Sequence, residues 1–109
     1  MIPIQTEIKM NKLEKRYAWE LELRKMSGEI IDYRCKPIGL NLAPRLKCYY
    51  YPDFLVVYRD YFEFDETKGG FCRDDALVKI KVAASLFPWF RFKMITWTKK
   101  QWIIREFKI

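Results

Sequence analysis

Asp53, preceded by Pro52, and the run Glu66-Thr67-Lys68 are the residues of this chain whose types and spacing can do chemistry. Two carboxylates and a lysine drawn to one end of a β-hairpin would make a site for a divalent cation and a phosphodiester. Carboxylate oxygens are the ligands a hard cation such as Mg²⁺ or Mn²⁺ prefers, with positions left for water and a phosphate oxygen. Such a cation lowers the pKa of bound water and neutralises charge on the phosphate. The lysine would orient or help deprotonate that water, or stabilise the transition state. Either half alone also has a plainer reading, in which Pro52 opens a strand, Asp53 caps a turn, and Glu66 and Lys68 form a solvated pair at a strand end.

A hairpin is the element that must position them. Segments 54–58 (FLVVY) and 61–65 (YFEFD) are rich in aromatic and β-branched residues, with Arg59-Asp60 between them as a two-residue turn. Centred there, the hairpin sets Val57 opposite Phe62, Leu55 opposite Phe64 and Asp53 opposite Glu66. Side chains alternate along a strand, so these residues share one face, apolar until its open end turns acidic. Lys68 stays on that face. Glu63 and Asp65 fall on the other, and parity therefore selects Glu66 as the partner of Asp53. A one-residue slip of register would undo the assignment, and Arg-Asp is not a favoured hairpin turn.

Composition narrows the chemistry further. The chain of 109 residues has no histidine, which excludes a histidine-based nuclease, a Cys/His zinc site and a Ser-His-Asp hydrolase within it. Gly69-Gly70 belongs to no Walker-type phosphate loop, and no organic cofactor is expected. A net charge of +7 favours a polyanionic partner, with nucleic acid ahead of a membrane surface because the carboxylates are there to act on it. Cys35, Cys48 and Cys72 are odd in number and widely spaced, which suggests reduced thiols. No apolar run is long enough to span a membrane, and the opening MIPIQTEIKM lacks the features of a secretion signal, so a cytoplasmic location is expected.

The remaining elements follow from periodicity. A helix is expected over 11–27, with Asn11 as N-cap, Glu14 placed to complete a capping box and Gly28 to end it. Leu13, Tyr17, Ala18 and Leu21 form its apolar arc, and Glu14 falls inside that arc. Glu14 is thus either a capping residue or a further acid of the site. Trp19, Leu23 and Met26 form a second apolar stripe, which suits a homodimer contact or a covering by terminal strands. β-like segments follow over 30–42 and 46–51, broken by Pro37 and Pro44; in the second, the tyrosine run 49–51 reads as core and rim or as a base-stacking surface. A second helix is expected over 74–87, stopped by Pro88, with Leu77, Ile80, Ala84 and Phe87 toward the sheet. Arg73, Lys79 and Lys81 lie beside that stripe as phosphate contacts or ordinary solvated flanks. Strands over 90–97 and 102–107, joined by Thr98-Lys99-Lys100-Gln101, complete the order.

That order and four stretches, KLEKRY, YYPDF, ETKGG and VKIKVAA, resemble the PD-(D/E)XK nuclease superfamily, and within it a group of small phage-encoded nuclease-like proteins. The motif order is also similar, more distantly, to that of the junction-resolving phage endonuclease I family. The resemblance spans about 11–97. It implies an α+β single domain over 1–109 with an αβββαβ core and a mixed central sheet flanked by helices. It also implies a Mg²⁺- or Mn²⁺-dependent DNA endonuclease acting on branched DNA, as a homodimer if it resolves junctions, within the bacterial host cell if phage-encoded. Residue by residue, it matches Glu14, Asp53, Glu66 and Lys68 to the catalytic set. Asp53, Glu66, Glu14 and the Thr67 carbonyl would serve as metal ligands, and Lys79 would be a basic position near the phosphate. A DNA-binding protein that kept the scaffold without the activity is the alternative.

Overall fold

Asn11 opens the first helix through its side chain. In the computed structural model, which describes residues 9–69 and 74–108, the Asn11 side chain accepts the Glu14 N–H at 2.7 Å. Its own N–H donates to Glu14 Oε1 at 3.1 Å, closing the expected capping box. Helix α1 spans Lys12–Met26 and carries Arg24 and Lys25 in its last turn, where positive charge suits the carbonyl end of the helix dipole. Gly28 then leaves the helix at φ +85°, a conformation that glycine adopts without steric cost.

Strands β1 (Asp32–Cys35), β2 (Leu40–Ala43), β3 (Cys48–Tyr50), β4 (Phe54–Val57) and β5 (Phe62–Lys68) follow. Helix α2 (Asp74–Leu86) and strands β6 (Arg91–Thr98) and β7 (Gln101–Phe107) complete the chain. The main sheet has the order β1-β4-β5-β6-β7 and is antiparallel except for β5 and β6, which α2 joins as a parallel pair. Strands β2 and β3 form a separate hairpin. The fold is α+β, and with β2, β3 and β7 set aside its order is the αβββαβ expected from the sequence.

The acidic hairpin has the register that parity requires: Val57 faces Phe62, Leu55 faces Phe64, and Phe54 faces Asp65. The Tyr58 N–H donates to the Tyr61 carbonyl, which leaves Arg59 and Asp60 as the turn despite their poor turn propensity. Fourteen or so ångströms of paired strand with apolar side chains on both faces outweigh the turn, because each buried large side chain contributes about 1.5–3 kcal/mol.

The two faces of the sheet have separate cores. Tyr17 and Leu21 of α1 pack with Ile30, Phe54, Val56 and Ile95 on one face. Ile80, Ala83 and Ala84 of α2 pack with Tyr50, Phe64, Phe92 and Met94 on the other. The segment expected to be β-like over 30–42 is divided between the two sheets. The break lies at Lys36, whose φ is +48°, and at Pro37, which has no N–H to offer a ladder. Cys35 is buried and Cys48 exposed, while Cys72 lies outside the described residues.

Beneath α1 the sheet buries two acids. Glu63 is 1% exposed and Asp65 0%. The Tyr17 hydroxyl donates to Asp65 Oδ2, and Lys93 Nζ lies 2.9 Å from Glu63 Oε1. The outer side of α1 keeps its second stripe in solvent, with Trp19 62% and Met26 71% exposed. No described helix is long and apolar enough to cross a membrane.

Candidate functional site

The open end of the hairpin gathers the residues singled out by type and spacing. Pro52 is buried just before β4, and Asp53 sits one residue outside that strand, between β1 on one side and β5 on the other. The Lys36 N–H donates to the Asp53 carbonyl at 2.7 Å, which carries the β1–β4 pairing one step further. On the β5 side the Asp53 carboxylate takes over. Its Oδ2 accepts both the Thr67 N–H and the Thr67 hydroxyl, each at 2.9 Å. This double bond to one oxygen fixes the side-chain rotamer and leaves Oδ1 pointing away from Thr67. The structure thus uses Thr67 to orient Asp53, a role distinct from the carbonyl ligand expected of it.

Glu66 and Lys68 follow on the α2 face of β5. Lys68 Nζ lies 3.5 Å from Glu66 Oε2, and the buried Tyr50 hydroxyl donates to Glu66 Oε1 at 3.0 Å. Glu14 reaches the same end of the sheet from the α1 side. Its carboxylate completes the expected capping box and also accepts from Lys36 Nζ at 3.1 and 3.2 Å. Lys36 Nζ is 3.9 Å from Asp53 Oδ1. Asp53 therefore stands at the centre, with Glu14 and Lys36 on one face of the sheet and Glu66, Lys68 and Tyr50 on the other.

The electrostatics agree with this placement. Burial raises the Glu66 carboxyl, and the nearby Asp53 charge raises it further, to about 7, against the lowering effects of the Tyr50 hydrogen bond and Lys68. Asp53 is also raised, by burial and then by the Glu14 charge, although Thr67 and Lys36 oppose the shift. Burial alone would lower the Lys36 ammonium, but its bonds to Glu14 and the charge of Asp53 leave it raised. Carboxylates raised by burial and by neighbouring negative charge gain from a nearby cation.

Among the described residues no three acidic or thiol side chains already converge as a metal cage. The donor chemistry nonetheless fits a hard divalent cation. Among the described residues Asp53 Oδ1 is approached by Lys36 at 3.9 Å and Glu66 Oε2 by Lys68 at 3.5 Å. A cation, the Lys36 ammonium, already stands between the Glu14 carboxylate and Asp53 Oδ1.

Other sequence-derived positions fall elsewhere. Lys81 lines a cavity with Ser85, Arg105 and Glu106, away from the four site residues, and Lys79 is half-buried on α2 without an ion pair to them among the described residues. Arg73 lies outside the described residues. The Lys99-Lys100 turn, by contrast, projects from the site end of the sheet, since Lys68 is aligned with Thr96 just before it. Both lysines have positive φ, 50° and 60°, as a type I′ connection requires. Two site neighbours escaped sequence reasoning. Tyr50 carried a weak signal as the middle of a tyrosine run, and Lys36 carried none.

The chain matches no family model and no curated protein. Its functional reading rests on the site.

Proposed function

We propose that the protein is a metal-dependent DNA endonuclease of the PD-(D/E)XK type. The observation that carries this reading is Asp53 at one end of a mixed sheet, linked through Lys36 to Glu14 on one face and near enough to Glu66, the partner of Lys68, on the other for its charge to raise that carboxyl. Asp53 Oδ1, Glu66 and Glu14 would be the oxygen donors for Mg²⁺ or Mn²⁺, and the Thr67 carbonyl a further ligand. A bound divalent cation would supply a Lewis acid that lowers the pKa of water and neutralises charge on the scissile phosphate.

The chain's own residues do the rest. Thr67 holds Asp53 in one rotamer, which reduces the reorganisation needed for ligation. Tyr50 keeps Glu66 oriented and favours its ionised form. Lys68, 22% exposed beside Glu66, is placed to orient the attacking water or to meet the charge of the pentacoordinate transition state. Lys99 and Lys100 reach past the same edge and are suited to backbone phosphates. The overall charge of +7 adds sequence-independent attraction to DNA.

Branched DNA is the substrate we favour, and a dimer formed through the Trp19, Leu23 and Met26 stripe would present two sites to it. The test is Mg²⁺- and Mn²⁺-dependent cleavage of a four-way junction, a linear duplex and single-stranded DNA, with Asp53→Ala and Glu66→Ala beside the parent. Metal-dependent cutting lost in both variants is expected. DNA binding without cutting in all three proteins would replace the reading with a non-catalytic DNA-binding protein.

A further inference from the structure

We infer that Lys36 competes with the divalent cation for the same carboxylates, and so sets how much metal the site needs. This inference rests on the metal-site reading of Glu14 and Asp53. Lys36 faces both oxygens of Glu14, at 3.2 and 3.1 Å, and approaches Asp53 Oδ1 at 3.9 Å. On the proposed reading a divalent cation would share these oxygens with Glu66. On the Lys36 side of the site Asp53 Oδ2 is committed to Thr67 and one Glu14 oxygen is shared with the helix cap, so little further negative charge there can hold a second cation alongside the first.

The backbone places the ammonium there. Lys36 has φ +48° at the end of β1, a conformation that a residue with a Cβ rarely adopts, and it directly precedes Pro37. Non-glycine residues persist in such conformations where their surroundings hold them, and these positions cluster at functional sites. The Lys36 N–H bonded to the Asp53 carbonyl anchors the same residue to the site.

A comparison with Lys93 separates competition from a purely structural ion pair. Lys93 pairs with Glu63, which is 1% exposed, and its own side chain is 19% exposed, so that pair is locked in the core. The Lys36 side chain is 42% exposed and can turn into solvent when a stronger cation arrives. Its hold on Glu14 is that of a half-exposed pair, strong enough to be felt and weak enough to be displaced. Among the described residues Lys68 approaches Glu66 and not Glu14 or Asp53, and its side chain, 22% exposed, is the less free of the two to turn away.

The experiment is calorimetric titration of the full chain with MnCl₂, without DNA, for the parent, Lys36→Met, Lys36→Arg and Asp53→Asn. Competition predicts that Lys36→Met binds Mn²⁺ about two- to fivefold more tightly than the parent, the scale expected when one half-exposed opposing ion pair is removed. Lys36→Arg should stay near the parent. Lys36→Gln carries the same expectation as Lys36→Met should that variant fail to fold. Equal or weaker binding by the neutral variants, with the parent still binding and Asp53→Asn not, would overturn the competition and leave the metal site standing. Absence of Mn²⁺ binding in parent and neutral variants alike would overturn both. A merely structural role for Lys36 predicts weakening, so the sign of the change decides.

Discussion

Asp65→Asn should make the protein more stable than its parent at neutral pH and equal to it in acid. Asp65 is completely buried two residues from Glu63 on the same face of β5, and burial, reinforced by the Glu63 carboxylate, holds its carboxyl well above the usual range. Asp65 Oδ1 and Glu63 Oε1 are both without a hydrogen-bond partner when each acid is taken as ionised. Lys93 approaches Glu63 Oε1 at 2.9 Å but is not aligned as a hydrogen bond. One proton shared by the two carboxyls would satisfy both orphaned oxygens, and leave a single negative charge for Lys93 to balance.

The native protein therefore keeps a proton that the unfolded chain releases near pH 3.9, the usual aspartate value of about 3.9. Its contribution is fully present below that pH and is lost as pH rises toward the folded pKa, at a limiting slope of about 1.4 kcal/mol per pH unit. An asparagine at 65 can accept from Tyr17 and donate to Glu63 while carrying no titration. Urea unfolding of parent and variant between about pH 4 and pH 8 isolates the effect, because every other titrating group is common to both. The difference in unfolding free energy should grow in favour of Asp65→Asn, with a slope up to about 1.4 kcal/mol per pH unit above pH 4. Parallel stability curves would refute the shared proton, and a difference that grew in favour of the parent would mean that Asp65 is an ionised, stabilising partner of Lys93.

Three further outcomes follow from the site and the surface. Lys68→Ala should bind Mn²⁺ like the parent while cutting about 10²–10³ times more slowly, the usual loss when one preorganised positive donor is removed from a transition state; unchanged single-turnover rates would remove Lys68 from the chemistry. Tyr50→Phe deletes the hydrogen bond that helps keep Glu66, already near 7, from rising further. The pH midpoint of Mn²⁺ binding should climb by about one unit, the equivalent of a hydrogen bond to a charged group, and an unmoved midpoint would show that Glu66 is not a ligand. Trp19→Lys combined with Met26→Lys should convert a homodimer to a monomer by light scattering without lowering thermal stability, since both side chains are exposed; a parent that is already monomeric would end the dimer reading.

What was legible in the sequence was what local periodicity controls. Strand alternation placed Glu66 and Lys68 on the face opposite Glu63 and Asp65, and the register found between Val57 and Phe62 is the one that alternation demanded. The Asn11 and Glu14 spacing announced a capping box because its partners lie within one helical turn. Lys36 and Tyr50 obey no such rule. Lys36 meets Glu14 across 22 residues of chain, and Tyr50 meets Glu66 across 16, through the packing of separate elements. Neither contact leaves a period, a cap or a turn signal behind it.

Lys36 also shows why an acidic motif read from sequence alone understates its surroundings. The run around it reads as the end of a strand before a proline, and a lysine there is ordinary. Only the left-handed backbone at Lys36 and the convergence of β1 with α1 bring its ammonium onto Glu14 and Asp53. The Glu14, Asp53 and Glu66 carboxylates would repel one another at the end of this sheet if nothing positive stood among them. Lys36 and Lys68 supply that charge from opposite faces, one toward Glu14 and Asp53 and the other toward Glu66. The fold thus offsets the repulsion among its acids with its own lysines, and on the proposed reading the more exposed of the two, Lys36, is the one a divalent cation would displace.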